Sequence, residues 1–110
     1  VNVASVHALA TSPLVAPYAA AKAALLSLTR STSIEGKPKR IRANAVLPGA
    51  IDTPMLWENP NVKSGAETID PADVGQPEEV AAAIAFLASD EASFVTGELL
   101  RVDGGRLDRL

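Results

Sequence analysis

Ala16-Pro17-Tyr18-Ala19-Ala20-Ala21-Lys22 opens the run that decides how this chain folds. From Ala16 to about Ile34 the sequence is rich in Ala and Leu and has no proline after Pro17, which predicts one long α-helix. Pro17 falls in the first turn, where a missing N–H has no partner to lose. Upstream, Val1-Asn2-Val3-Ala4-Ser5 has the β-branched content and alternation of a short strand, and Val6 to Ala16, with Ser12-Pro13, reads as a loop. Downstream, Glu35-Gly36-Lys37-Pro38-Lys39 reads as a helix stop with Gly36 as the C-cap. Arg42 to Leu47 then reads as a second strand, ended by Pro48-Gly49. Strand, helix and strand make a βαβ unit, which implies parallel strands and a right-handed crossover.

The rest of the chain extends this unit. Ala50 to Gln76 is long and punctuated by Pro54, Pro60, Gly65, Pro71 and Gly75, with Met55, Leu56 and Trp57 as an apolar knot at its front. A segment of this kind is either a lid over a site at the strand ends or an inserted loop. Pro77-Glu78-Glu79 opens another helix, with two carboxylates at the positive end of its dipole. Val80, Ile84 and Leu87 supply its apolar stripe, and Ser89-Asp90 ends it. Phe94 to Gly97 turns the chain, and Glu98 to Val102 reads as a third strand closed by Asp103-Gly104-Gly105. The order β-α-β-loop-α-β predicts an α/β layer fold with a doubly wound, Rossmann-type parallel sheet.

Composition narrows the function classes. At 110 residues, 47% hydrophobic and 21% charged, the chain is one small globular domain or a piece of one. A net charge of −3 with scattered Lys and Arg gives no footprint for nucleic acid. No apolar run is long enough to span a bilayer, and there is no signal-peptide pattern. The absence of Cys excludes disulfides and thiol chemistry and is compatible with a cytoplasmic protein.

Tyr18 and Lys22 stand at i and i+4, one turn apart on one helix face. A fixed ammonium beside a phenol favours the ionised form, the change that fits a phenol for acid–base work near neutral pH. The spacing by itself also describes a packed Tyr beside a solvated Lys. Its company decides between them. Asn2-Val3-Ala4-Ser5, Tyr18-x-x-x-Lys22 thirteen positions after Ser5, Asn44-Ala45-Val46-Leu47-Pro48-Gly49-x-Ile51-x-Thr53-Pro54, Ala85-Phe86-Leu87-Ala88-Ser89-Asp90, Thr96-Gly97 and Val102-Asp103-Gly104-Gly105 follow in order. Together they resemble the C-terminal half of the short-chain dehydrogenase/reductase (SDR) family, over nearly the whole chain.

The resemblance implies an NAD- or NADP-dependent oxidoreductase that interconverts a secondary alcohol and a ketone. Tyr18 would be the acid/base at the substrate oxygen, Ser5 would donate a hydrogen bond to that oxygen, and Lys22 would support Tyr18 and bind the nicotinamide ribose. Pro48 and Gly49 would let the backbone approach the nicotinamide, and Ile51 and Thr53 would hold its carboxamide and the adjoining phosphate region. Three residues between Tyr18 and Lys22 match the carbonyl/alcohol members of the family rather than the enoyl reductase branch. Ala21 stands where the family commonly has Ser. The resemblance also implies a homo-oligomer acting on a small molecule.

The glycines never form G-x-G-x-x-G or the family's TGxxxGxG, and the ribose selector and Asn-Asn-Ala-Gly segment are missing too. Residues 1–110 therefore read as a partial domain without the N-terminal cofactor-binding half, with activity belonging to a full-length parent. The piece alone is expected to be a marginal monomer with an open sheet edge beside Val1–Ser5. The competing reading is a truncated, non-catalytic homologue that keeps the sheet and an oligomer-forming helix. Ser5 and His7, on one face of a strand, suggest a nucleophile and base, but the Gly-x-Ser-x-Gly elbow is absent, and His7 reads as a residue of the pocket rim. Glu78-Glu79 lacks the neighbours a metal needs, so no metal site is expected. Trp57 reads as lid packing or substrate contact, and Arg106 and Arg109 as solvated tail residues.

Overall fold

A computed structural model describes residues 1–108. Strand β1 (Asn2–Val3) runs into a 3-10 turn, Val6–Ala8, and helix α1 (Ala16–Gly36) follows. Strand β2 (Ala45–Pro48) leads to two short helices, α2 (Pro54–Trp57) and α3 (Pro60–Lys63), and a 3-10 turn at Pro71–Asp73. Helix α4 (Pro77–Ala88) and strand β3 (Leu99–Val102) complete the layers. Among the described residues the three strands form one sheet in the order β1-β2-β3, all parallel. The α/β class, the βαβ crossover and the edge position of β1 are as the sequence predicts.

The central strand explains why helices cover both faces. Alternate residues of a strand point to opposite sides. Ala45 and Leu47 pack with Ala4, Val6 and Leu26 beneath α1, whereas Val46 packs with Val80 and Leu87 beneath α4. Ala45, Val46 and Leu47 are all fully buried, which is why they read as an unbroken apolar run. Burying side chains such as Leu47 and Leu87 contributes about 1.5–3 kcal/mol each. This is part of a Rossmann-type sheet wound on both faces.

Several boundaries differ from expectation. Strand β1 stops at Val3 because Ser5 caps the 3-10 turn, its Oγ accepting the His7 N–H at 3.1 Å. Ser5 and His7 are therefore turn residues and do not share a strand face. Strand β2 begins at Ala45 because the residues before it serve other elements. Arg42 Nη1 donates to Leu87 O (2.9 Å) and Val95 O (3.2 Å), and Nη2 to Ser89 O (3.2 Å). The bonds to Leu87 and Ser89 satisfy carbonyls at the end of α4, where a cation also suits the dipole. Buried Asn44 donates to Val95 O and accepts the Glu98 N–H, both at 2.9 Å, stitching β2 to the entry of β3.

Gly36 is not the left-handed cap. It is the last helical residue, and the left-handed position is Arg40 (φ 58°), after a 3-10 turn at Lys37–Lys39. Gly36 is small for a different reason: a Cβ there would lie 2.9 Å from Ile41 Cβ. Helix α4 starts as read from Pro77, with the Glu79 carboxylate accepting the Gln76 N–H at 2.8 Å.

Candidate active site

Because the strands are parallel, their C-terminal ends lie at one end of the sheet, together with the start of α1, which runs back the other way. This is the end at which open α/β sheets bind ligands. In the β1–β2 ladder Asn2 N–H donates to Asn44 O and Ala4 N–H to Val46 O, each at 2.8 Å. The Val3 carbonyl between them faces the open edge. Lys22 Nζ donates to that carbonyl at 3.0 Å. One proton of the ammonium thus anchors the side chain, and two remain for another acceptor.

The same ammonium lies 5.6 Å from the centre of the Tyr18 ring, within the range of a cation–π contact. The structure therefore brings Tyr18 and Lys22 together, as their spacing predicts. Tyr18 is 37% exposed, so its ring is open to solvent. His7 meets the Tyr18 ring edge to face, with centroids 5.9 Å apart. Ser5 is linked to this group through His7: its buried Oγ accepts the His7 N–H, leaving its own proton to donate. Burial pushes the His7 pKa below its ordinary value; Glu67 opposes that shift and Arg106 adds to it.

Pro48, Gly49, Ile51 and Thr53 form a second group, at the end of β2. Gly49 N–H donates to Val102 O at 3.0 Å, holding the ends of β2 and β3 together. A bridge joins Ile51 to Gly75: Gly75 N–H donates to Ala50 O and Asp52 N–H to Gly75 O, both at 2.9 Å. In such a parallel bridge the Ile51 amide and carbonyl face away from Gly75, and Thr53 Oγ1 donates to the carbonyl at 3.4 Å. The donor set fits a nicotinamide nucleotide. The spare Lys22 protons suit vicinal hydroxyls, and the Ile51 amide suits a carboxamide oxygen.

The segment from Ala50 to Gln76 is irregular only in part. Pro54, Pro60 and Pro71 each start a helix or 3-10 turn, and the segment is docked at two points. Asn61, buried, donates to Pro13 O at 2.7 Å in the loop before α1. Glu67 forms an ion pair with Arg106, just beyond β3. Arg106 is therefore not a solvated tail residue; Arg109 lies outside the described residues. Met55-Leu56-Trp57 is not a buried knot either: Met55 and Trp57 are exposed, and Trp57 Nε1 donates to Asp52 Oδ1 at 2.9 Å. The contacts of His7 with Tyr18, Asn61 with Pro13 and Glu67 with Arg106 had no spacing signal in the sequence, since the fold brings those partners together.

A family model described as "Enoyl-(Acyl carrier protein) reductase" matches residues 1–106. The 3beta-hydroxysteroid dehydrogenase 1 of Eggerthella lenta is 46% identical over 109 residues, which cover 96% of this chain and 42% of that protein. Among solved structures, aldohexose dehydrogenase of Thermoplasma acidophilum superposes with a TM-score of 0.87 at 37% identity, over 99% of this chain and 48% of that one. A 4-hydroxyisoleucine dehydrogenase complexed with NADH and succinate superposes with a TM-score of 0.80 at 34% identity, over 98% of this chain and 45% of that one. The chain belongs to the short-chain dehydrogenase/reductase family of oxidoreductases. It spans less than half the length of these relatives.

Proposed function

We propose that residues 1–110 are the catalytic half of an NAD(P)-dependent oxidoreductase that interconverts a secondary alcohol and a ketone, active in a polypeptide that also carries the complementary cofactor-binding half. The observation that carries this reading is the pairing of Tyr18 with Lys22, the latter hooked onto the Val3 carbonyl. A nicotinamide held by these residues would supply the hydride. Tyr18 hands a proton to the carbonyl oxygen in reduction and takes it back in oxidation. The Ser5 hydroxyl donates to the same oxygen as charge develops there. Lys22 holds the ribose and keeps a positive charge beside the phenol. Pro48, Gly49, Ile51 and Thr53 seat the nicotinamide end.

The family model carries the name of an enoyl reductase, whereas the named relatives are hydroxysteroid, aldohexose and hydroxyisoleucine dehydrogenases. The three-residue gap between Tyr18 and Lys22 supports the alcohol/ketone reading. Among the described residues no helix is long and apolar enough to cross a membrane, and we place the enzyme in the cytoplasm. Leu28 and Ile34 on α1, with Phe94, remain exposed, which supports assembly into a homo-oligomer. The same exposed helix is what favours the second reading, a non-catalytic homologue that only assembles.

Titration with NADH and NADPH, followed by nicotinamide fluorescence, separates the two. The polypeptide with its complementary half is expected to bind one of them saturably and to reduce ketones. Absence of binding and turnover there would leave the assembly-only reading.

A further inference from the structure

The imidazole of His7 has no part in the reaction described above, yet His7 touches both members of the proposed proton-handling pair. Its backbone N–H is held by Ser5 Oγ. Its ring meets Tyr18 with 79° between the two planes. A third contact fixes the imidazole itself: Nδ1 of His7 and Oγ1 of Thr11 share a hydrogen bond at 2.9 Å. On a further side His7 feels the charges of Glu67 and Arg106, the ion pair that docks the segment after β2.

Tyr18 needs such a neighbour. A phenol that passes a proton along a defined line must keep its ring in one orientation, and a small misplacement of a reacting group is costly in rate. Tyr18 is too exposed for close packing to do this. The Lys22 ammonium attracts the ring centre and sets no angle about it. An edge-to-face partner does set the ring plane, because the attraction depends on the angle between the rings.

We propose that His7 is a positioning residue for Tyr18: its ring, edge to face with the phenol, sets the plane of the phenol, while its amide orients the Ser5 hydroxyl. The inference rests on the assignment of Tyr18 as the acid/base.

Two substitutions isolate the ring contact. His7→Ala removes the imidazole and keeps the amide, so Ser5 still caps the turn. His7→Phe keeps an aromatic ring against Tyr18 and gives up the bond to Thr11 and the charge interactions with Glu67 and Arg106. Tyr18 is the single tyrosine of the chain, so its ring protons identify themselves in an NMR spectrum of the 110-residue chain with selectively labelled Tyr. The expected result is a displaced Tyr18 ring signal in His7→Ala and one restored toward the wild-type position in His7→Phe. In the polypeptide with its complementary half, His7→Ala lowers kcat by about two- to ten-fold, the rate equivalent of one aromatic pair, with KM for the nucleotide unchanged. His7→Phe recovers most of the loss.

Unchanged kcat in His7→Ala, or a His7→Phe as impaired as His7→Ala, overturns the inference. A Tyr18→Phe variant at full turnover defeats the functional reading instead, whatever the His7 variants do.

Discussion

Gly49→Ala separates two reasons for a glycine at the end of β2. The family resemblance assigns Gly49 to close approach of a nicotinamide; the structure shows a constraint that exists without any ligand. A Cβ at position 49 would lie 2.8 Å from Asp103 Cβ and 2.9 Å from Asp103 Cα. Relaxed carbon contacts lie at about 3.5–4.0 Å, so the two strand ends must part by roughly 0.7 Å. The obstacle is backbone rather than a flexible side chain. Parting also strains the 3.0 Å bond from Gly49 N–H to Val102 O. The cost therefore falls in the upper half of the overpacking range, about 2–3 kcal/mol. At this chain length 1 kcal/mol corresponds to about 4 °C in Tm, so a fall of about 8–12 °C is expected. Thermal unfolding followed by circular dichroism in the absence of nucleotide measures it. A Tm within about 1 °C of wild type, with weakened NAD(P)H binding, would refute the steric argument and leave cofactor approach as the whole reason for the glycine.

Other perturbations test the remaining joints of the fold. Arg42→Ala removes the side-chain donor from the carbonyls of Leu87 and Ser89, while Val95 O keeps its bond from Asn44, and a loss of about 2 kcal/mol in urea unfolding is expected, with Arg42→Lys recovering only part because an ammonium lacks the fork. Asn61→Ala removes the bond to Pro13 O and should speed proteolytic cleavage between α2 and β3's preceding helix, α4, while leaving the far-ultraviolet spectrum nearly unchanged. His7 gives a pH dependence of definite sign. Burial lowers its pKa below the ordinary value of 6.5, with Glu67 opposing and Arg106 reinforcing. The unfolded chain therefore takes up this proton first as pH falls, so the His7 contribution is full above about pH 6.5 and is lost as pH drops through the lower folded-state value. His7→Phe should flatten that part of the stability profile measured by denaturant midpoints.

The layers were legible because their signals are local. The apolar run Ala45-Val46-Leu47 between a helix and a Pro-Gly turn specifies a buried parallel strand, and Pro17 and Pro77 mark helix starts. The same residue type misled in the middle of the chain. Pro54, Pro60 and Pro71 read as punctuation of a loop, yet each occupies the first turn of a helix or 3-10 turn, where proline is favoured. Gly36 read as the C-cap of α1; here it is the last helical residue and makes room for Ile41, while the left-handed position falls on Arg40. At the site, Tyr18 and Lys22 were readable because i,i+4 spacing is local geometry. Contacts such as Lys22 with Val3 O and Glu67 with Arg106 join residues far apart in sequence, and only the packed sheet brings them together.

The central claim is that Tyr18 carries the proton. The decisive measurement is single-turnover reduction of a ketone by pre-bound NAD(P)H, comparing wild type with Tyr18→Phe in the polypeptide that includes the complementary half. The substitution removes one hydroxyl and keeps the ring against His7 and Lys22, so nucleotide affinity should hold while the chemical step slows by about 10²–10⁴-fold. A Tyr18→Phe enzyme that transfers hydride at the wild-type rate would contradict the account.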